Sequence, residues 1–413
     1  MIKVIHTADI HFGMENYGKI DPKTGIHSRL LDFEKALNSC IDYALEQKVD
    51  LFLFSGDAYK TTNPSPTQQK LLMRCLLRLH RAHIPVIVVV GNHDNPLSFG
   101  KANSLDIFSE VPLEGFHVVE KPKLILVETK HGPLQVVGIP WPTRNTISIN
   151  EKHFFNNAEE ITSYISQAVA TIIRDFAQKL DTSIPSILAG HLTVSSGVFS
   201  GSEKRAIYGN DPTFLPSQLA IEPFDYVALG HLHRYQNLNK HGYPSVVYAG
   251  SIERIDFGER KEPKGFCLVN VQRHKTTHQF IEVPTRPFIQ IEAHLSKDSE
   301  IHTEELLSEI EKYPLNGSVL KILYHIPSGI KDGVDMQKIE RFCASAQYVV
   351  GIIPLHTLHT REKRTGLKVD MDLETLLNLY FEERPELRDK KELLSKKALE
   401  LYNESRNQEE TEV

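Results

Sequence analysis

Several features that would settle a protein's class at once are missing from this chain. No apolar run approaches the roughly 20 residues that span a bilayer; Pro85-Val86-Ile87-Val88-Val89-Val90 is among the longest. Cysteine is scarce, and Cys40, Cys75, Cys267 and Cys343 show no CxxC spacing. That argues against a disulfide framework or a thiolate metal site and leaves Cys40 and Cys75, on apolar helix faces, as buried inert thiols. There is no GxxxxGK[ST] phosphate loop, so any dependence on ATP has to come from another chain. Positive charge is not in excess: 47 Lys and Arg stand against 53 Asp and Glu, a formal net of −6. Such a chain does not coat nucleic acid by bulk electrostatics, although a local basic groove or bound dications can still attract phosphate. Internal repeats and low-complexity tracts are absent. Met1-Ile2-Lys3-Val4-Ile5-His6 enters a strand pattern rather than a signal-peptide layout, which makes the cytoplasm the expected location.

What is present is ordinary globular composition, 40% apolar and 24% charged, in 413 residues, enough for two or three domains. Up to residue 284, runs rich in Val, Ile and Phe at 2–6, 51–54, 86–90, 186–189 and 226–229 alternate with helical spacing in 30–45, 72–79 and 161–180. Ser65-Pro66 reads as a helix start, with serine capping and proline in the first turn. The alternation predicts α/β architecture with strands buried between helix layers. Residues 116–139 read instead as hairpin strands around Lys130-His131-Gly132-Pro133, and 246–249 and 266–271 return to that pattern, so the sheets are expected to be mixed. Beyond Pro284-Thr285-Arg286-Pro287, residues 285–356 read as a small α+β unit, with strands at 288–291 and 319–324 and helices at 302–312 and 335–345. Residues 361–413 hold 11 Lys/Arg and 14 Asp/Glu in 53 positions, too polar to build a core alone. Two amphipathic stripes lie there: Leu373, Leu376, Leu377, Tyr380 and Phe381, then Leu394, Ala398, Leu401 and Tyr402 past Arg384-Pro385. The expected layout is a linker at 357–370, a helical pair at 371–405 whose apolar faces need a partner, and a disordered tail at 406–413.

Five of the apolar runs end in a short turn bearing metal-ligand side chains: Asp9-Ile10-His11, Gly56-Asp57, Gly91-Asn92-His93-Asp94, Gly190-His191 and Gly230-His231-Leu232-His233. Asp, Asn and His are costly to bury unpaired, and a divalent cation is the commonest partner for such a set. In an open α/β sheet, ligands bind beyond the carboxyl ends of the strands, so one fold can bring all five loops to one rim. Asp9 and His11, two apart in extended chain, are expected to leave the same face and chelate one ion. His231 and His233 are expected to repeat that chelate on the last strand. Asp57 has two oxygens with which to bridge two ions, and His191 with the Asn92 amide oxygen completes the second shell. Nitrogen and oxygen donors without thiolate suit Mn²⁺, Fe or Zn²⁺ rather than Ca²⁺ or copper. Two aspartates against two dications leave a surplus of about two positive charges, which attracts a phosphodiester and makes hydroxide available near neutral pH. His93 is expected beside the scissile phosphate, as acid or charge stabiliser, with Asp94 orienting its ring. The plain alternative is that each pair is an incidental turn. Five such turns in order, each after a strand signal, argue against it.

These motifs resemble those of the calcineurin-like metallophosphoesterases. Within that family the likeness is to SbcD-type nuclease subunits. It is carried further by His6-Thr7-Ala8-Asp9-Ile10-His11-Phe12-Gly13, Gly138-Ile139-Pro140-Trp141, Ala228-Leu229-Gly230-His231-Leu232-His233 and Gly250-Ser251-Ile252-Glu253-Arg254-Ile255-Asp256-Phe257-Gly258-Glu259. The resemblance implies a four-layer αββα sandwich over 1–284, a DNA-capping α+β domain over 285–356 and a C-terminal helical pair. It implies two Mn²⁺ held by Asp9, His11, Asp57, Asn92, His191, His231 and His233, with His93 as the catalytic histidine. It also implies 3′–5′ exonuclease activity on double-stranded DNA and endonuclease activity on single strands or hairpins. A homodimer within a heterotetramer comes with it, the partner being an SMC/ABC-type ATPase, SbcC, whose coiled coil the helices in 371–402 would grip. One departure stands at Lys60, where the family often carries His or Asp. Lys60 reads either as a point charge for a DNA phosphate or as a solvated surface lysine.

Arg234, Arg254, Arg260, Lys261 and Lys264 lie near the last motif loops and are candidates to track a DNA backbone. Asp256, Glu259 and Glu262 interleave with them, which reads equally as scattered surface charge. Trp141, the only Trp, either stacks on a base or packs beneath its loop. Lys204 and Arg205 follow a glycine- and serine-rich stretch that is either a loop beside the site or a linker. Helices at 66–82 and about 98–108 are candidates for a dimer face. Two rival functions stand beside the nuclease. One is a small-substrate phosphodiesterase of the cyclic-nucleotide type, which has no need of residues beyond 285. The other is a non-catalytic scaffold for the ATPase, which has no need of a full ligand set.

Overall fold

A computed structural model describes residues 1–96, 101–110, 114–144, 157–201, 211–356, 373–382 and 391–409. The first half runs β1 (Ile2–Thr7), α1 (Ser28–Gln47), β2 (Leu51–Phe54), α2 (Pro66–Arg81), β3 (Val86–Val89), α3 (Ile107–Glu110), β4 (Phe116–Val119), β5 (Lys123–Thr129) and β6 (Gly132–Ile139). It continues with α4 (Ala158–Lys179), β7 (Ser186–His191), β8 (Thr193–Val194), β9 (Thr213–Phe214), α5 (Pro216–Leu219), β10 (Tyr226–Gly230), β11 (Gln236–Asn237), β12 (Ser245–Tyr248), β13 (Gly265–Val271) and β14 (Thr277–Glu282).

Two six-stranded mixed sheets result, in the orders β14-β13-β1-β2-β3-β4 and β11-β12-β10-β7-β6-β5. β1 to β4 are parallel and β13 antiparallel to β1; in the second sheet β12, β10, β7 and β6 are parallel. β2 and β3 are buried at every position, which is why they read as unbroken apolar runs and not as alternation. Val4, Leu51, Leu53, Ile87 and Val89 meet Val136, Ile187, Ala189, Ala228 and Val247 between the sheets. Phe33, Leu37 and Ile41 of α1 and Leu72, Leu76 and Leu79 of α2 cover the outer side of the first sheet. Ile165, Val169 and Ile173 of α4 cover the second. The layers are therefore α, β, β, α. Ser65 caps α2 reciprocally with Gln68, ahead of Pro66 in the first turn. All four cysteines are buried and free, and burial pushes the Cys75 and Cys267 thiols up to about 12, so they are inert.

Two local expectations change. The segment 116–139 is not one hairpin system: β4 joins the first sheet beside β3, while β5 and β6 form a hairpin in the second. Alternation along the chain cannot say which of two sheet edges a strand will join. The helix expected near 98–108 begins only at Ile107 among the described residues. Ahead of it the Asn103 and Asp106 side chains take the Leu105 and Asn103 amides, a local turn that competes with helix. Residues 98–100, Lys204, Arg205 and the linker at 357–370 lie outside the described residues.

A third sheet follows, built from β15 (Phe288–His294), α6 (His302–Ile310), β16 (Val319–Ile326), α7 (Met336–Phe342) and β17 (Tyr348–His356), in the order β15-β16-β17. Ile291, Leu306, Ile310, Leu320, Ile322 and Ile339 form a core of its own under α6 and α7. The connection into β15 is tied to α1. The buried Arg29 guanidinium lies 2.8 Å from Asp32 and within 5.1 Å of the Phe33 and Phe288 ring centres, and Arg286 Nε donates to Asp32 at 2.6 Å. Separately, α8 (Leu373–Glu382) and α9 (Lys391–Glu409) contact each other, with Leu393, Leu394 and Leu401 exposed. α9 runs through Glu409, so residues 406–409 are helical, and 410–413 lie outside the described residues. Among the described residues no helix is long and apolar enough to cross a membrane.

Candidate metal centre

The carboxyl ends of β1, β2 and β3 in one sheet and of β7 and β10 in the other open on the same edge of the sandwich, and all seven proposed donors meet there. Asp57 Oδ2 lies 3.6 Å from His11 Nε2 and 3.4 Å from His191 Nε2. On one side of it, His11 Nε2 is 3.1 Å from His233 Nε2, and Asp9 joins both with ligand atoms within 4.8 Å of one another. On the other side, the Asn92 amide oxygen is 2.9 Å from His191 Nε2 and 3.3 Å from His231 Nδ1. Asp57 therefore faces two donor groups, one on each side.

The glycines in these motifs are there for close approach. A Cβ on Gly56 would run into the His191 ring, and one on Gly91 into the Asp57 carboxylate. The donors themselves sit in strained backbone: φ is 51° at Asp9, 52° at His11, 59° at Asp57 and 105° at His231. Left-handed non-glycine residues cost roughly 1–3 kcal/mol each and gather at functional sites. This corrects the extended geometry expected for Asp9 and His11. They do not share a strand face; a turn aims both, with the His11 amide donating to Asp57 O at 3.0 Å. The His231-x-His233 chelate is corrected too. β10 ends at Gly230 and the positive φ at His231 breaks the two-residue repeat, so His233 turns to His11 while His231 turns to Asn92.

Carbonyl and carboxylate oxygens only accept, and that fixes the tautomers. His191 Nδ1 donates to Ser55 O at 2.8 Å and His233 Nδ1 to Glu259 Oε1 at 2.8 Å, which turns both Nε2 atoms inward. His93 Nδ1 donates to Lys60 O at 2.9 Å. Burial holds His11 well below its ordinary value and, helped by His191, takes His231 down to about 3. Burial also opposes charge on Asp57 and His191, but their mutual attraction prevails, holding Asp57 well below the carboxylate range and His191 up at about 9. His11 Nδ1 and His231 Nε2 are buried with no hydrogen-bond partner among the described residues. Lone-pair nitrogens and two carboxylates thus crowd a dry space with few protons between them. Divalent cations fit this set, displacing the proton that His191 and Asp57 share.

A family model for calcineurin-like phosphoesterases matches residues 2–235. The chain belongs to the calcineurin-like phosphoesterase family. Among curated relatives, the SbcD component of nuclease SbcCD from Staphylococcus saprophyticus is 28% identical over 294 residues, covering 70% of this chain and 71% of that protein. The component of the same name from Staphylococcus epidermidis is 26% identical over 299 residues, covering 70% and 71%. A crystal structure of a dimetal phosphatase from Danio rerio aligns with TM-score 0.36 at 10% identity, covering 65% of this chain and 92% of its own, too slight a likeness to add weight.

A calcineurin-like phosphoesterase is a metal-dependent hydrolase of phosphate esters, and the remaining residues can be placed around that chemistry. Asp94 does not orient His93. Its buried carboxylate accepts the amides of Ala58, Tyr59 and Gly91, each at 3.1 Å, stapling the Asp57 loop to the Asn92 loop. Burial and the Asp57 charge push it up to about 6. The group that orients the His93 ring is the Lys60 carbonyl. The Lys60 side chain is half-buried and Arg234 is exposed just past His233. Arg254 is not available to DNA: its guanidinium donates to Thr285 Oγ1, Arg286 O and Glu262 O. Lys264 is 1% exposed and lies 2.8 Å from Glu259, so it too is internal. Trp141 packs, its ring centre 4.9 Å from that of His231 and 6.0 Å from that of His191. The residue that sequence reasoning missed is Glu259, which carries His233. Its one signal is that it closes the Gly250–Glu259 stretch, where it reads as surface acid.

Proposed function

We propose that the chain is the Mn²⁺-dependent nuclease subunit of an ATP-driven SbcCD-type DNA repair complex. Its activities are 3′–5′ exonuclease on double-stranded DNA and endonuclease on single strands and hairpins. The observation that carries this reading is the meeting of seven nitrogen and oxygen donors from both sheets in a chain similar to the SbcD component of nuclease SbcCD over 70% of its length. Asp9, His11 and His233 would hold a metal on one side and Asn92, His191 and His231 one on the other, with Asp57 facing both groups. Two Mn²⁺ bound there would supply hydroxide near neutral pH and neutralise charge on the phosphate, and Fe or Zn²⁺ fit the same donors.

His93 acts on the leaving oxygen. Its Nδ1 proton is committed to Lys60 O, so Nε2 is the atom that gives up a proton. Burial lowers this imidazole against the pull of Asp57, and an incoming phosphodiester anion opposes that lowering. Asp94 keeps the loops in place and Lys60 and Arg234 steady the DNA backbone. Residues 285–356 cap the DNA and 357–370 link to the helical pair at 371–405. The exposed leucines of α9 suit a hydrophobic seam with the coiled coil of the ATPase SbcC, in a cytoplasmic heterotetramer around a homodimer.

The purified chain with Mn²⁺ or Mg²⁺ is offered hairpin DNA, linear duplex, a cyclic nucleotide and bis-p-nitrophenyl phosphate. Mn²⁺-dependent DNA cutting that His93→Ala abolishes while metal content persists is the expected result. Brisk cyclic-nucleotide turnover with DNA untouched would establish the small-substrate enzyme instead, and no hydrolysis alongside tight ATPase binding would establish a scaffold. ATPase binding that survives removal of residues 361–413 would refute the role of the helices.

A further inference from the structure

Among the described residues, one set of side chains away from the phosphoesterase centre also brings metal-ligating atoms within 4.8 Å of one another: Glu292, His294 and His325. β15 and β16 are parallel, and His294 stands directly opposite His325 in register. Glu292 precedes His294 by two residues on the same strand, so both side chains leave one face of the sheet. Ile291, Ala293, Tyr324 and Ile326 leave the other face and enter the core. On the open face the two imidazole rings stack 4.3 Å apart at 11°. His325 Nε2 lies 2.8 Å from a Glu292 carboxylate oxygen, with Glu292 52% and His325 27% exposed. Neighbouring strands run about 4.8 Å apart, so in-register imidazoles cannot avoid each other. The two imidazoles and the Glu292 carboxylate therefore stand together on the open face of this sheet.

We propose that Glu292, His294 and His325 form a second metal site, mononuclear, for a divalent cation of the zinc class. Two imidazole nitrogens and one carboxylate oxygen on firm strands are a donor set that zinc takes in open sites, with the fourth position left to water. Mg²⁺ and Ca²⁺ prefer oxygen throughout and match it poorly. The site is on the third sheet, and it stands or falls independently of the nuclease reading.

The test is calorimetric titration of the full chain with Zn²⁺, wild type against His294→Ala and His325→Ala. Each variant is expected to bind one equivalent of Zn²⁺ fewer. Glu292→Gln is expected to keep that equivalent with at least roughly tenfold weaker binding. Hydrolysis of bis-p-nitrophenyl phosphate with Mn²⁺ is expected to be unchanged in all three, since none belongs to the catalytic machinery. Equal stoichiometry and affinity in wild type and both histidine variants would overturn the proposal. So would a lost equivalent accompanied by lost hydrolysis, because the metal would then be leaving the phosphoesterase centre.

Discussion

Glu259 keeps its charge in a buried place because His233 Nδ1 and Lys264 Nζ both donate to it; burial resists the charge, yet those two partners hold the carboxyl down at about 2. A carboxylate behind a metal-ligating imidazole fixes the ring and raises its basicity. Glu259→Gln is therefore expected to weaken metal binding by roughly 10–100-fold, read by titration. Because it also strands Lys264, the double variant Glu259→Gln/Lys264→Met is expected to recover stability without recovering affinity. Asp94 and His93 separate just as cleanly. Asp94→Ala leaves three amides unpaired and is expected to lower unfolding free energy by about 3 kcal/mol or more. His93→Ala is expected to leave the melt unchanged and remove turnover. That these side chains gather at one edge was legible from sequence, because Asp, Asn and His at the ends of buried strands demand a partner. Which donors group together was not, since nothing in the letters Asp9, His11 and His231 announces a positive φ.

At the scale of elements, α1 and the segment entering β15 are joined by charges taken out of water. Arg29 is fully buried beside Asp32, and Glu253, 1% exposed, lies 3.9 Å away. Removing one member of such a set strands the others, so Arg29→Ala is expected to cost about 3–5 kcal/mol in urea unfolding. Arg29→Met with Glu253→Gln is expected to return part of that, since the second change removes a stranded carboxylate. Elements were legible in proportion to how deeply they are buried. β2, β3, β7 and β10 are buried at every position, and β1 at every position but Lys3, and they stood out. β14 lies at a sheet edge, its Thr277-His278-Gln279 too polar to read as strand. β17 is the edge of the third sheet and carries Pro354, which an interior strand would not tolerate. Turns such as Asn103–Asp106 escaped because short polar side chains there outbid the helix.

Across the whole molecule the two sheets are joined by more than apolar contact. His6 on β1 reaches the second sheet, with Nε2 3.2 Å from Leu229 O and Nδ1 3.1 Å from the Tyr226 hydroxyl. The carbonyl needs a proton on Nε2, which leaves Nδ1 to accept, so the bridging ring is neutral. Burial pushes it from 6.5 down to about 3. The folded value lies below the unfolded one, so this contribution is complete above pH 6.5 and fades as pH falls toward 3. His6→Gln is expected to shrink the stability difference between pH 7.5 and pH 5, measured by urea unfolding in chelator, by about 2 kcal/mol. The four-layer arrangement was legible only through the family likeness; strand patterns alone gave strands buried between helix layers and not the number of sheets they form. The order of the first sheet has a bearing on how the protein is made. β1 is wedged between β2 and β13, so during synthesis it waits for residues 265–271 before it has both neighbours. A nascent chain shorter than that has no finished cage for a cation, and metal acquisition belongs to the end of the domain's synthesis, not to its beginning.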